Sequence, residues 1–163
     1  MEENYEIERK FLIEYPDVRA LKENSFCKRV EIVQTYLTAP EGEERRVRRR
    51  GENGGFVYLK TTKKKVNGVK RVEIESEISA DEYAALLKEA DVQKRPVEKT
   101  RYCLTCGAHC FEIDVYPFWS DKAIMEVELA DENEEIKFPE FIKIIKEVTG
   151  DEEYKNSSLA KIK

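Results

Sequence analysis

Histidine is nearly missing from this sequence of 163 residues: His109 is the only one. Acid–base or triad chemistry built on imidazole therefore has one candidate, and it stands in a turn-like segment. Long apolar runs are missing too. None approaches the roughly 20 residues that a membrane-spanning helix needs, and the acidic N-terminal residues lack a signal-peptide core. No membrane association is expected, and the expected compartment is cytoplasmic. Basic residues are not in excess: 29 Lys and Arg stand against 34 Asp and Glu, a net charge of -5. Stable nucleic-acid binding, which rests on a basic surface, is not expected. The phosphate-cradling pattern Gly-x-x-x-x-Gly-Lys-Ser/Thr does not occur, which excludes a P-loop enzyme. No internal linker, repeat or low-complexity block interrupts the chain, so its length points to one domain over residues 1–163.

What the sequence does have is charge. Asp, Glu, Lys and Arg make up 39% of it, against about 25% in an ordinary soluble domain. An apolar fraction of 40% and a regular alternation of polar and apolar positions argue for a folded chain rather than a disordered one. The four cysteines are Cys27, Cys103, Cys106 and Cys110, expected as reduced thiols in a cytosolic chain. Cys103, Cys106, His109 and Cys110 form a crowded cluster that offers three thiols and one imidazole, enough in principle for tetrahedral zinc. No second ligand pair stands at a usual distance, which favours a hairpin turn with thiols on its rims. Both readings stay open.

Short strand-like segments separated by turn signals give an all-β pattern. They run over about residues 5–13, 30–38, 44–50, 56–62, 69–78, 97–103, 110–116 and 123–130. Gly51-Glu52-Asn53-Gly54-Gly55 and Asn67-Gly68 read as turns, and Lys63-Lys64-Lys65 as a solvated loop. Residues 16–24 read as a short helix. Ser79-Ala80-Asp81-Glu82 opens another with a capping-box-like start, and Tyr83, Leu86, Leu87 and Ala90 form its apolar side. Residues 138–148 read as a helix packed through Phe141, Ile142, Ile144 and Ile145 and stopped by Gly150. Residues 156–163 suit one or two further helical turns. Seven or eight antiparallel strands are enough to close a barrel, which removes the exposed edges of a sheet.

In a strand, residues two apart share a face. Glu6, Glu8 and Lys10 share one face of the first strand, opposite Ile7, Arg9 and Phe11. The pattern recurs with Arg46, Arg48 and Arg50, with Tyr58 and Lys60, with Arg71, Glu73, Glu75 and Glu77, and with Lys99 and Arg101. Glu112 and Asp114 form another such face, as do Glu126 and Glu128. Any one of these is ordinarily a solvated face over an apolar core. As a set, with amphipathic helices available to cover an apolar exterior, they fit a barrel charged on the inside. Buried charges must be paired, hydrated or bound to a ligand, and the mixture of signs suits a wide hydrated tunnel. Lys and Arg from several strands can surround a polyphosphate, Arg through fork-shaped contacts. Carboxylates with no histidine or thiol among them select hard cations such as Mg²⁺ or Mn²⁺, which could activate a water.

Glu6-Ile7-Glu8-Arg9-Lys10 matches the Glu-x-Glu-x-Lys signature of the CYTH superfamily, the triphosphate tunnel metalloenzymes. The support accumulates in order along the chain. Arg46-Val47-Arg48, Tyr58-Leu59-Lys60 and Arg71-Val72-Glu73-Ile74-Glu75 resemble the family's Arg-x-Arg, lysine and Arg-x-Glu-x-Glu strands. Lys99-Thr100-Arg101, Phe111 to Tyr116 and Met125 to Glu128 resemble its Lys-x-Arg and late acidic strands. Tyr154 to Ala160 resembles the C-terminal segment of short bacterial members. The resemblance implies a mainly β (α+β) fold, a closed eight-stranded antiparallel barrel with a charged interior and a few flanking helices. It implies that Lys10, Arg46, Arg48, Lys60, Arg71, Lys99, Arg101 and Lys155 bind a triphosphate. Glu6, Glu8, Asp114, Glu126 and Glu128, with Glu73, Glu75 and Glu112 nearby, would surround Mg²⁺ or Mn²⁺. Glu6, Glu8, Lys10, Lys99 and Arg101 would carry catalysis. The implied activity is hydrolysis of inorganic tripolyphosphate to pyrophosphate and phosphate. Alternatives are an adenylate cyclase, a thiamine or nucleoside triphosphatase using Tyr116, Phe118 and Trp119 at the tunnel mouth, and a non-catalytic polyphosphate-binding module. A homodimer also follows from the resemblance. The thiol cluster and His109 lie outside the family pattern.

Overall fold

Alternating polarity makes strands of this chain, and their pairing makes a ring. The computed structural model describes residues 4–52, 54–67 and 70–161. Its strands are β1 Asn4–Glu14, β2 Cys27–Leu37, β3 Glu43–Glu52, β4 Gly55–Lys65 and β5 Lys70–Ile78, followed by β6 Val97–Cys106, β7 His109–Val115, β8 Lys122–Glu128 and β9 Ile144–Glu147. The helices are α1 Val18–Glu23, α2 Ala80–Leu86 and α3 Asn156–Leu159. Every pairing is antiparallel. From β2 the sheet runs one way through β3 and β4 to β5, and the other way through β6, β7 and β8 to β1. The first residues of β1, Asn4 to Ile7, then pair with β5 and close an eight-stranded barrel. Further along β1, beyond the reach of β5, β9 takes the free edge at Phe11 to Ile13.

The apolar half of the alternation faces outward and is covered. Phe11, Ile13, Tyr102, Phe111, Met125 and Val127 are buried under Leu21 of α1 and under Phe138 and Ile142, which precede β9. Phe138 meets Phe11 edge-on at 5.0 Å between ring centroids and Phe111 at 6.1 Å. A second apolar cluster sits inside the ring. Leu12, Tyr36, Val97, Tyr116 and Ile124, with Val148 and Ala160, plug one end of it. The Tyr116 hydroxyl donates to Asn156 and ties α3 to this plug. No helix among the described residues is long and apolar enough to cross a membrane.

Three expectations are corrected. Residues 138–148 do not form a helix: a turn at Pro139 to Ile142 leads into β9. The isoleucine-rich run prefers extended backbone, and the unpaired edge of β1 supplies the partner that a helix would forgo. Lys63 to Lys65 are not a loop but the last turn of the alternation in β4. The apolar side of α2 is not buried; it has its capping box, yet only grazes the barrel, with Tyr83 against Tyr58 at 4.9 Å. The β6–β7 hairpin is tighter than expected, with only Gly107 and Ala108 between its strands, and Gly107 at φ 62° takes a backbone conformation that favours glycine. Asn53 and Gly68 of the expected turns, Val69 at the start of an expected strand, and Ile162 and Lys163 of the expected last helix lie outside the described residues.

Phe111 is fully buried between barrel and cover. Phe111→Ala should destabilise the fold by about 3–5 kcal/mol, read as a lower urea midpoint at unchanged slope.

Candidate active site

Antiparallel partners share a face, so the register carries one ionic face onto the next. Glu8 stands opposite Glu128 and Lys10 opposite Glu126. Glu126 stands opposite Glu112, and Asp114 opposite Arg101. On the other wall Glu44 pairs with Lys63 and Arg46 with Thr61, which in turn face Glu73 and Glu75. These side chains surround a cavity of about 560 Å³, lined by equal numbers of acidic and basic side chains.

One side of the cavity is short of positive charge. Glu8, Glu112 and Glu126 can each place a carboxylate oxygen within 4.8 Å of the others. Burial, and then the charge of Glu126, push the Glu8 carboxyl well above its usual range. Glu126 is also buried, but Lys10, Arg101 and Lys99 hold it well below that range. Glu6 is raised by burial and by its neighbour Glu73. An oxygen-only set of crowded carboxylates fits a hard divalent cation, which would relieve their mutual repulsion.

The opposite side is short of negative charge. Burial, then the nearby charges of Arg46 and Arg101, lower the Arg48 guanidinium to about 10, although Arg48 is ion-paired with Glu75. The Nε atoms of Arg46 and Arg48 are buried and have no partner, as expected of groups arranged to meet an anion. Lys63 bridges Glu6 at 3.2 Å and Glu73 at 3.5 Å, and Lys10 lies 3.7 Å from Glu126. At one mouth Lys155 is held by Glu152 at 2.9 Å, and the same carboxylate reaches Lys65 of β4 at 3.7 Å.

Of the residues singled out in the sequence, Glu6, Glu8, Lys10, Arg46, Arg48, Arg71, Glu73, Glu75, Glu112, Glu126, Glu128, Arg101 and Lys155 line the cavity. Lys60 does not. Its register partner is Val47, which is buried beneath the outer surface, so Lys60 lies on the outer face. Lys63, three residues later and therefore on the opposite face, supplies the lysine. Asp114 is also misassigned as a metal ligand. It is fully buried, and its oxygens are occupied by Arg101 at 2.7 and 2.9 Å and by Lys99 at 2.8 Å. Lys99 sits behind the cavity wall, and burial lowers it to about 8 despite Asp114. The four groups do not converge on one point: Cys106 packs against the outer core and His109 is bound to Glu134, while Cys103 and Cys110 are diagonal neighbours on the other face of the hairpin. No metal-sized group containing a thiol occurs among the described residues. Phe118 and Trp119 pack on Tyr116 at 5.1 and 5.4 Å rather than lining the cavity. Sequence reasoning missed Lys63, Lys65, Tyr36 and Lys94. The alternation Thr61, Lys63, Lys65 was the available signal for the first two.

The comparisons agree with this geometry. The CYTH domain family model matches residues 4–161, and the chain belongs to that family. It is 34% identical over 157 residues to an inorganic triphosphatase of Acetivibrio thermocellus, covering 96% of this chain and 93% of that one. The solved structure of the inorganic triphosphatase NE1496 is similar at 31% identity and TM-score 0.57, covering 95% and 93% of the two chains. A Bacillus halodurans protein provisionally assigned as an adenylate cyclase shares the fold at 14% identity and TM-score 0.57, over 81% and 84%.

Asp114→Asn should cost about 3–5 kcal/mol at neutral pH, because it strands Lys99 and Arg101 in the interior. The depressed Lys99 means that the unfolded chain binds this proton more tightly, so the stability it withholds returns as pH rises from about 8 towards the ordinary lysine range. The deficit of Asp114→Asn should therefore shrink between pH 7 and pH 9.5 in denaturant titrations.

Proposed function

We propose that this protein is a metal-dependent triphosphatase that hydrolyses inorganic tripolyphosphate to pyrophosphate and phosphate within the barrel. The observation that carries the reading is the two-sided cavity. A basic wall, in which the buried Nε atoms of Arg46 and Arg48 have no partner, faces a cluster of carboxylates, Glu8, Glu112 and Glu126, across one hollow of about 560 Å³. Its own charges balance, so a polyanion arriving alone would leave it strongly negative. A polyanion arriving with divalent cations would not. The inorganic triphosphatases to which the chain is similar add support.

In this reading Arg46 and Arg48 grip phosphate oxygens through their forks. Lys10, Lys63 and Arg71 add point charges around the chain of phosphates, and Lys155 closes the mouth. Glu8, Glu112 and Glu126 hold the cation, with Glu6 and Glu128 flanking them. A Mg²⁺ or Mn²⁺ bound there would neutralise charge on the phosphate oxygens and lower the pKa of a water. The walls hold the triphosphate in line for attack by water on a terminal phosphorus. Positioning and charge stabilisation account for the catalysis, as in phosphoryl transfer generally. No covalent nucleophile is needed. The Cys103 thiol, raised to about 11 by burial and Glu112, is a poor one at neutral pH. A nucleotide or thiamine substrate would need a surface on which a ring can stack. Tyr36 is the single aromatic side chain among the lining residues, and it belongs to the plug.

Phosphate release from tripolyphosphate should require Mg²⁺ or Mn²⁺, stop in EDTA, and exceed release from ATP or thiamine triphosphate. Glu126→Gln should lower kcat at least about 100-fold while keeping the fold. Arg48→Ala should raise KM about tenfold. Undiminished metal-dependent turnover in Glu126→Gln would sink the assignment.

A further inference from the structure

Gln34 stands in the middle of β2 on its inward face, with Arg48 of β3 and Val97 of β6 as register partners. It is 0% exposed. Its neighbours on the same face, Val30 and Ile32, fill space with hydrocarbon. An amide in such a place is costly unless its donors and acceptor are matched. Gln34 is only half matched. Its Nε2 donates to the Tyr36 hydroxyl oxygen at 2.5 Å, while its Oε1 has no partner. A buried amide that leaves its acceptor unpaired has been kept for its donor.

That donor acts on Tyr36. The Tyr36 ring belongs to the apolar plug, yet the residue also lines the cavity. Burial raises its pKa, so the hydroxyl stays protonated. Its oxygen accepts from Gln34, and Arg46, its register partner on β3, stands beside it. The Gln34 N–H thus occupies the acceptor side of the phenol. Its own O–H donates to no protein group among the described residues, and the direction left to it is the cavity.

We propose that Gln34 is a positioning residue for phosphate recognition: its amide N–H holds the Tyr36 oxygen so that the hydroxyl proton points into the cavity, as a donor to a phosphate oxygen of the substrate. The inference rests on the triphosphatase reading for the identity of that substrate. An amide turned the other way, or a carboxylate at this position, would accept the Tyr36 proton and withdraw it from the cavity. Most of the donors that line the tunnel are charged; Asn156 and Ser157 are neutral, and both belong to the C-terminal segment at the mouth. A neutral hydroxyl adds a directional contact that long flexible lysines do not provide.

The test is a double-mutant cycle on Gln34→Met and Tyr36→Phe, with Gln34→Glu as a second, nearly isosteric variant if the methionine does not fold. Two quantities are read. One is the affinity for the non-hydrolysable imido analogue of tripolyphosphate by calorimetry with Mg²⁺, and the other is kcat/KM for tripolyphosphate with Mg²⁺. Each single variant should weaken both by about tenfold, and the double variant should be no worse than Tyr36→Phe alone. A merely structural role for Gln34 would lower the melting temperature without this dependence on Tyr36. The proposal is overturned if Gln34→Met leaves both quantities unchanged, or if its losses multiply with those of Tyr36→Phe. Tripolyphosphate that binds without being hydrolysed would refute the triphosphatase reading alone, since the cycle in affinity can still be read.

Discussion

Burying a charge is tolerable only when something of opposite sign is buried with it, and this barrel is organised around that constraint. Closure between β1 and β5 turns a set of half-ionic strands into a ring whose ionic faces have nowhere to point but at one another. Arg101 and Lys99 are satisfied by Asp114 and Lys63 by Glu6 and Glu73, while Glu75 meets only part of the Arg48 guanidinium. The Asp114 pairs and Lys63–Glu73 join neighbouring strands, and Lys63–Glu6 and Arg48–Glu75 reach across the strand between, so register and electrostatics are one specification. A slip of one residue in any strand would turn its charges into the outer apolar layer.

The interior is graded. Around Asp114 the ion pairs are complete, dry and structural. Nearer the cavity they become incomplete: Glu8 crowds Glu112 and Glu126, and the Nε atoms of Arg46 and Arg48 have no partner. Incomplete neutralisation is a free-energy cost in the empty protein and a source of affinity once a polyanion and its cations arrive. The apolar plug of Leu12, Tyr116, Ile124 and Val148 closes one end of the ring. It keeps the Lys99–Asp114–Arg101 group from water and sets the depth to which a substrate can reach. The hydroxyl of Tyr36, held at the boundary between plug and cavity, belongs to both parts.

The thiols and the lone histidine show how residues with strong chemical associations can be structural. Cys106 packs as a small apolar side chain, and His109 fastens the hairpin to Glu134 in the segment after β8. Both follow from a two-residue turn at Gly107, which splits neighbouring residues between opposite faces of the hairpin. Cys103 and Cys110 stay neighbours, but the four ligand groups do not meet at one point.

The sequence by itself determined the strand alternation, and with it the two-signed set Glu6, Glu8, Lys10, Arg46, Arg48, Arg71, Glu126 and Glu128, because a period of two depends only on local backbone geometry. Most of the site was legible for that reason, and so was the turn chemistry that separates the strands. Three things were not. Lys63 was hidden because the inward frame of β4 is set by Thr61 bonding Glu75 across the sheet, a contact between neighbouring strands. Asp114 looked like a metal ligand until two cations from β6 were seen to occupy it. Residues 144–147 became a strand only because the ring leaves one edge of β1 free. In each case pairing between strands decided between options that local sequence left open: for Lys63 and Asp114 the partner is the neighbouring strand of a hairpin, and for residues 144–147 it is the edge of β1 that the closed barrel leaves free.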